Sequence, residues 1–150
     1  MSSRPILLAT DFSSASRPAL RQALEMARAE RAPILLAHVV EPPVPLAPDG
    51  FVLPQTYDDM AMAVRRGAEE RMRRLVARVR GAGLRARGVL LEGAPHEAIV
   101  RAARSHRARR IVVGTHGRRG FRRLFLGSVA ARVVASSPCP VLVVPASGRG

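Results

Sequence analysis

Five stretches of the chain are apolar at consecutive positions: Ile6–Ala9, Ile34–Val40, Gly88–Leu91, Ile111–Val113 and Val141–Val144. Unbroken Ile, Leu and Val runs of this length fit strands covered on both faces, as in a parallel sheet. The segments between them change period. Leu20, Leu24 and Ala27 share one face of a helix predicted over 17–30, with Ser14 or Ser16 as its cap. Val64, Ala68, Met72, Leu75 and Val79 step by three or four along a longer helix ending near Gly81 or Gly83. Pro95 starts a third helix, with Ile99, Ala102, Ala103 and His106 inward. Gly127-Ser128 opens a fourth, stopped by Ser136-Ser137-Pro138.

Strands and helices therefore alternate, β-α-β-α-β-α-β-α-β. Such alternation predicts an α/β fold: a single domain over 1–150, built on an open doubly wound five-stranded parallel sheet with helices on both faces. One segment breaks the rhythm. Glu41–Tyr57 holds five prolines and a glycine and reads as a loop, either a lid or an excursion. Residues 146–150 read as a tail.

In such sheets ligands lie beyond the carboxyl ends of the strands, where strand order reverses. A strand order of 3-2-1-4-5 would bring two segments to one crevice there. The first, ATDFSS, follows the first strand. The second, GTHGRRGFRRLFLGS, runs from Gly114 to Ser128 after the fourth. A phosphate loop of the Walker type needs a lysine, and the chain has none; the dinucleotide fingerprint needs GxGxxG after the first strand. What remains is the physics these loops share. Glycines let backbone N–H groups approach phosphate oxygens, and a helix start supplies free donors and a favourable dipole. Ser128 adds a hydroxyl.

Charge sharpens this reading. All 25 basic side chains are arginine, and the formal net charge is +14. After Glu97 the remaining 53 residues carry eleven arginines and no acid. That field attracts nucleotides, nucleic acid, anionic membranes or acidic partners. With aromatics at 3%, base-stacking platforms are scarce, which weighs against the nucleic-acid alternative. Cys139 is the single cysteine, read as a buried small hydrophobe, and excludes an intramolecular disulfide. The first apolar run is too short for a signal peptide, and no run reaches membrane-spanning length, so a cytoplasmic protein is expected. His38, His96 and His106 share no metal-ligand spacing, and the arginines of the second helix read as a solvated face. No Ser-His-Asp arrangement or nucleophile elbow is recognisable, which favours a sensor or switch over an enzyme, with slow nucleotide hydrolysis as the alternative.

The spacing Gly114-x2-Gly117-x9-Gly127-Ser128 resembles the ATP-binding motif of the universal stress protein family. So do the early strand ending at Asp11, the His38-Val39 strand end, the Glu92–Pro95 turn and the closing SPCPVLVV. The resemblance covers nearly the whole chain. It implies the adenine-nucleotide α-hydrolase-like fold and a nucleotide-responsive stress regulator that binds ATP with Mg or Mn. By position it implies Ala9, Thr10 and Asp11 at the adenosine end, Asp11 accepting from a hydroxyl or amino group, and Val39 against the adenine. Gly114, Thr115, His116 and Gly117 would border the ribose and first phosphates, with Arg118 and its neighbours Arg119, Arg122 and Arg123 giving a basic loop. Gly127, Ser128, Val129 and Ala130 would hold the phosphate chain. Position 130 departs from the pattern, since many members carry a hydroxyl there. The resemblance also implies a homodimer through the edge strand Val141–Val144.

Overall fold

The computed structural model describes residues 3–44, 50, 53–115 and 126–146. Its strands are β1 (Ile6–Ala9), β2 (Ile34–Val39), β3 (Ala86–Leu91), β4 (Arg110–Gly114) and β5 (Val141–Val144). Its helices are α1 (Arg17–Glu30), α2 (Pro54–Gly81), α3 (Pro95–Ser105) and α4 (Ser128–Ser136), with a 3-10 turn at Ser14–Ser16 before α1. All pairings are parallel, and the sheet order is β3-β2-β1-β4-β5. Order reverses between β1 and β4, so the order 3-2-1-4-5 on which the shared crevice depended is the one found.

The unbroken apolar runs are explained by double coverage. Ile6, Leu8, Ile34, Leu36 and Val112 face one core, filled by Ala19, Ala23 and Ala27 of α1 and Met72 and Val79 of α2. Leu7, Leu35, Ala37, Ile111 and Val113 face the other, filled by Ile99, Ala102 and Ala103 of α3 and Ala130 and Val133 of α4. A fully buried Leu or Ile contributes about 1.5–3 kcal/mol, so both faces of each central strand stabilise the fold. At the β3 edge the packing is close. A Cβ on Gly88 would overlap the Met72 side chain, so glycine there lets α2 lie flat on the sheet. At the opposite end, Glu30 binds Arg109 at 2.6 Å and Arg110 at 2.9 Å, tying the end of α1 to the start of β4.

Five local expectations need correction. α2 begins at Pro54, so the last residues of the proline-rich segment are helical; proline suits a first helical turn, where its missing N–H goes unused. Val64 lies exposed on α2, beyond the reach of the sheet. His106 caps α3 rather than extending its inner face, and neither Ser14 nor Ser16 caps α1 through its side chain. The Ser16 hydroxyl instead donates to the Ser13 carbonyl at 2.7 Å. Cys139 is half-buried, its N–H donating to the Ser137 hydroxyl at 3.2 Å.

Candidate functional site

The site at the carboxyl edge is built from two turns with opposite chemistry. β1 runs in register with β2, Ala9 opposite Ala37, and with β4, Leu8 opposite Val112. Thr10 and Gly114 thus each stand two residues past a paired position on adjacent strands. The 3-10 turn that follows β1 packs against β4. Ala9, Thr10, Asp11, Val39, Gly114 and Thr115 all lie at this end of the sheet, with Ala9 and Val39 half-buried on the face covered by α3 and α4.

The β1 turn consumes nearly all of its own polar groups. Thr10 N–H donates to the Ala37 carbonyl at 2.9 Å. Thr10 Oγ1 accepts from Phe12 N–H at 3.0 Å and lies 3.3 Å from the Ser16 hydroxyl. Asp11 Oδ1 accepts from Ser13 N–H at 2.9 Å, an Asx turn. Across the crevice wall, His38 Nδ1 lies 2.8 Å from the Thr10 carbonyl, so the ring nitrogen carries the proton and donates. Phe12 takes a left-handed backbone, φ 63°, uncommon for a bulky residue. Its ring rests on His38 with centroids 4.3 Å apart, and the Arg71 guanidinium lies over the ring at 5.8 Å.

Two buried groups of the turn are left over, the Ser13 hydroxyl and one carboxylate oxygen, and the carboxylate is the stronger acceptor. Asp11 Oδ2 is buried and has no hydrogen-bond partner among the described residues. Burying such an atom unpaired is costly, so its geometry suits a donor brought by a ligand. Asp11 thus holds its turn with one oxygen and keeps the other without a partner among the described residues.

The β4 turn spends the other way. Thr115 N–H donates to the Val144 carbonyl at 3.0 Å, and Gly127 N–H to the Thr115 carbonyl at 2.7 Å. That pair fixes the start of α4 against the end of β4. Gly127 is the N-cap and has no side chain with which to cap. Ala131 N–H closes the first helical bond onto the Gly127 carbonyl at 3.0 Å. The N–H groups of Ser128, Val129 and Ala130 donate to no described residue. Three amides at the positive end of a helix are therefore available to an anion. The Ser128 side chain is exposed beside them, whereas the Ala130 methyl is buried in the core. His116, Gly117 and Arg118, with Arg119, Arg122 and Arg123, lie outside the described residues.

Sequence reasoning placed Phe12 in the ATDFSS segment and His38 at a strand end but missed their contact with each other and with Arg71. Only His38, at the end of an apolar strand, offered a signal; a left-handed phenylalanine leaves none.

No described group of three or more His, Cys, Asp and Glu side chains could hold a metal ion, and no described helix is long and apolar enough to cross a membrane. Comparison with known proteins gives the family. Residues 2–145 match the universal stress protein family. A universal stress protein of Thermus aquaticus is 38% identical over 94% of this chain and 98% of its own. The universal stress protein of Archaeoglobus fulgidus in complex with dAMP superposes with a TM-score of 0.67 at 27% identity, covering 96% of this chain and 99% of that one. A universal stress protein in complex with cAMP gives 0.62 at 28%, covering 98% and 100%. On these grounds the chain belongs to the universal stress protein family.

Proposed function

We propose that the protein binds ATP at the carboxyl edge of its sheet and serves as a nucleotide-responsive regulator. The observation that carries this reading is the pairing of a spare buried acceptor, Asp11 Oδ2, with three undonated amides at the start of α4. A nucleotide has complementary ends: hydroxyl donors on its sugar and anionic oxygens on its phosphates. Asp11 accepts from a ribose hydroxyl, Thr10 and Ala9 line the sugar, and Val39 supports the base. Gly114 and Thr115 border the first phosphates, continued by His116, Gly117 and Arg118. Ser128, Val129 and Ala130 donate main-chain N–H groups to the chain beyond, with Gly127 allowing close approach. Relatives holding dAMP and cAMP support an adenine nucleotide as the ligand class. Mg or Mn would arrive on the phosphates, supplying charge neutralisation.

Denaturing freshly purified protein and separating what is released tests the reading directly, with ATP or ADP as the expected product. A ligand specific for the native state adds about 2.7 kcal/mol of stability at a hundredfold excess over Kd, so Mg-ATP should raise Tm. An empty release and no shift with ATP, ADP or AMP would refute it. The second part of the proposal is assembly. β5 is an edge strand whose outer backbone groups have no partner strand in the sheet, and pairing with a second copy would cover it. Light scattering should give twice the chain mass; a monomer at micromolar concentration rejects the dimer.

A further inference from the structure

The two helical faces treat their arginines differently. On α2, Arg73 and Arg74 bind Glu70 at 2.7 and 2.9 Å, and Arg65 binds Glu69 at 3.5 Å and Glu92 at 2.5 Å. All but the Arg65–Glu92 pair are helix-spaced, and all lie on a solvated surface, where each is worth little and needs no partner molecule. On the other face of the sheet, α3 and α4 lie side by side with a groove of about 560 Å³ between them. Arg101 and Arg104 of α3 and Arg132 of α4 line it, over a floor that includes Val100 and Ala135. None of these three guanidiniums forms an ion pair among the described residues. Arg101 is held in place by the Glu92 carbonyl at 3.3 Å, an anchor that leaves donors over.

Three like charges converging on one concavity repel one another unless an anion lies between them. We propose that the α3–α4 groove is a docking site for an acidic, amphipathic peptide segment of a partner protein. The apolar floor takes the peptide's aliphatic side chains, and the guanidiniums take its carboxylates in charge-assisted hydrogen bonds. Two features select a peptide over a nucleic acid. No Phe, Tyr or Trp lines the groove, and its one ring, the His96 imidazole, lies 3.8 Å from Glu97, so bases find little surface on which to stack. Glu97 also lines it, exposed at the N-terminal end of α3, and would repel a uniformly charged phosphate backbone. A peptide can place a neutral residue there. This surface lies on the outer side of the helices and is independent of the nucleotide reading.

The test uses the full chain and a fluorescein-labelled peptide of Glu and Leu in an amphipathic helical pattern, read by fluorescence polarisation at low salt. Saturable binding is expected. Combining Arg101→Gln, Arg104→Gln and Arg132→Gln should weaken it about tenfold or more. The equal charge change on α2, Arg73→Gln, Arg74→Gln and Arg78→Gln, should alter it less than about twofold. Circular dichroism confirms that both variants fold, and the single substitution Arg104→Gln serves if the triple does not. Absence of binding overturns the proposal. So does equal weakening by both triples, which would mean net charge alone. So does displacement of the peptide by single-stranded or duplex oligonucleotides with the same arginine dependence, which would make the groove a nucleic-acid surface.

Discussion

The turn after β1 and the turn after β4 stand side by side on one edge of one sheet, yet they present their chemistry in opposite ways. After β1, side chains do the work: Thr10, Asp11 and Ser16 hold the turn through hydrogen bonds and leave one carboxylate oxygen and the Ser13 hydroxyl without a partner. After β4, backbone does it: a side-chain-free cap at Gly127 leaves three amides at a helix start. The difference teaches that one half of the site is vulnerable to changes of side chain, and the other to changes in the main chain.

The sharpest way to break that contrast is Ser128→Pro. Proline suits the first helical position, and Gly127 at φ −57°, ψ 152° already holds the conformation that precedes a proline. The substitution removes one amide donor while leaving α4 intact. Nucleotide affinity should fall about tenfold to a hundredfold, with Tm of the nucleotide-free protein little changed, by calorimetric titration and thermal melting. Ser128→Ala, which keeps the amide, should cost far less. Equal losses from the two would mean that the hydroxyl, and not the backbone, holds the phosphates.

Asp11→Asn probes the other half. The amide oxygen still accepts from Ser13 N–H and preserves the turn, but the second position becomes a donor. Affinity should drop about tenfold, with stability unchanged or slightly raised, because a buried unpaired carboxylate oxygen is gone. A marked loss of stability with affinity intact would make Asp11 a structural residue only.

The smallest effect sharpens the comparison by lying outside both turns. His106, at the opposite end of the sheet, has its pKa lowered from 6.5 by burial and then by the Arg87 guanidinium, whose Nη2 lies 2.7 Å from Nδ1. A lowered value means the unfolded chain binds the proton more readily. Stability should therefore fall as pH drops below 6.5 and level off below the folded value. His106→Gln should reduce that loss, read as a smaller Tm difference between roughly pH 7.5 and roughly pH 5.5, without changing nucleotide affinity. If acid sensitivity persists in full, it arises elsewhere.

Much of this was legible beforehand. β1, β5 and α1 have the bounds their patterns predict, because double burial forbids polar residues inside a strand and a single buried face imposes helical spacing. The helix stops were harder. α1 and α3 are each followed by an arginine in the left-handed region, Arg31 and Arg107, both at φ 51°. Each is followed by a buried alanine whose N–H reaches back into the helix, Ala32 to Ala27 and Ala108 to Ala103. Arginine is not a residue that announces such a turn; the alanine's place in the core compensates for the backbone strain.

The sequence by itself determined the alternation of elements, the two-sided burial of the strands and the glycine spacing that marks the start of α4. These are properties of neighbours along the chain, and local periodicity encodes them. Tertiary structure alone decided that Phe12 would adopt a left-handed backbone against His38 and Arg71. It also decided that one oxygen of Asp11 would be left without a partner, and that Arg101, Arg104 and Arg132 would share a groove while Arg65, Arg73 and Arg74 of α2 found glutamates. Those facts depend on which groups meet across the fold, and a hydrogen bond or an ion pair exists only once both partners are in place.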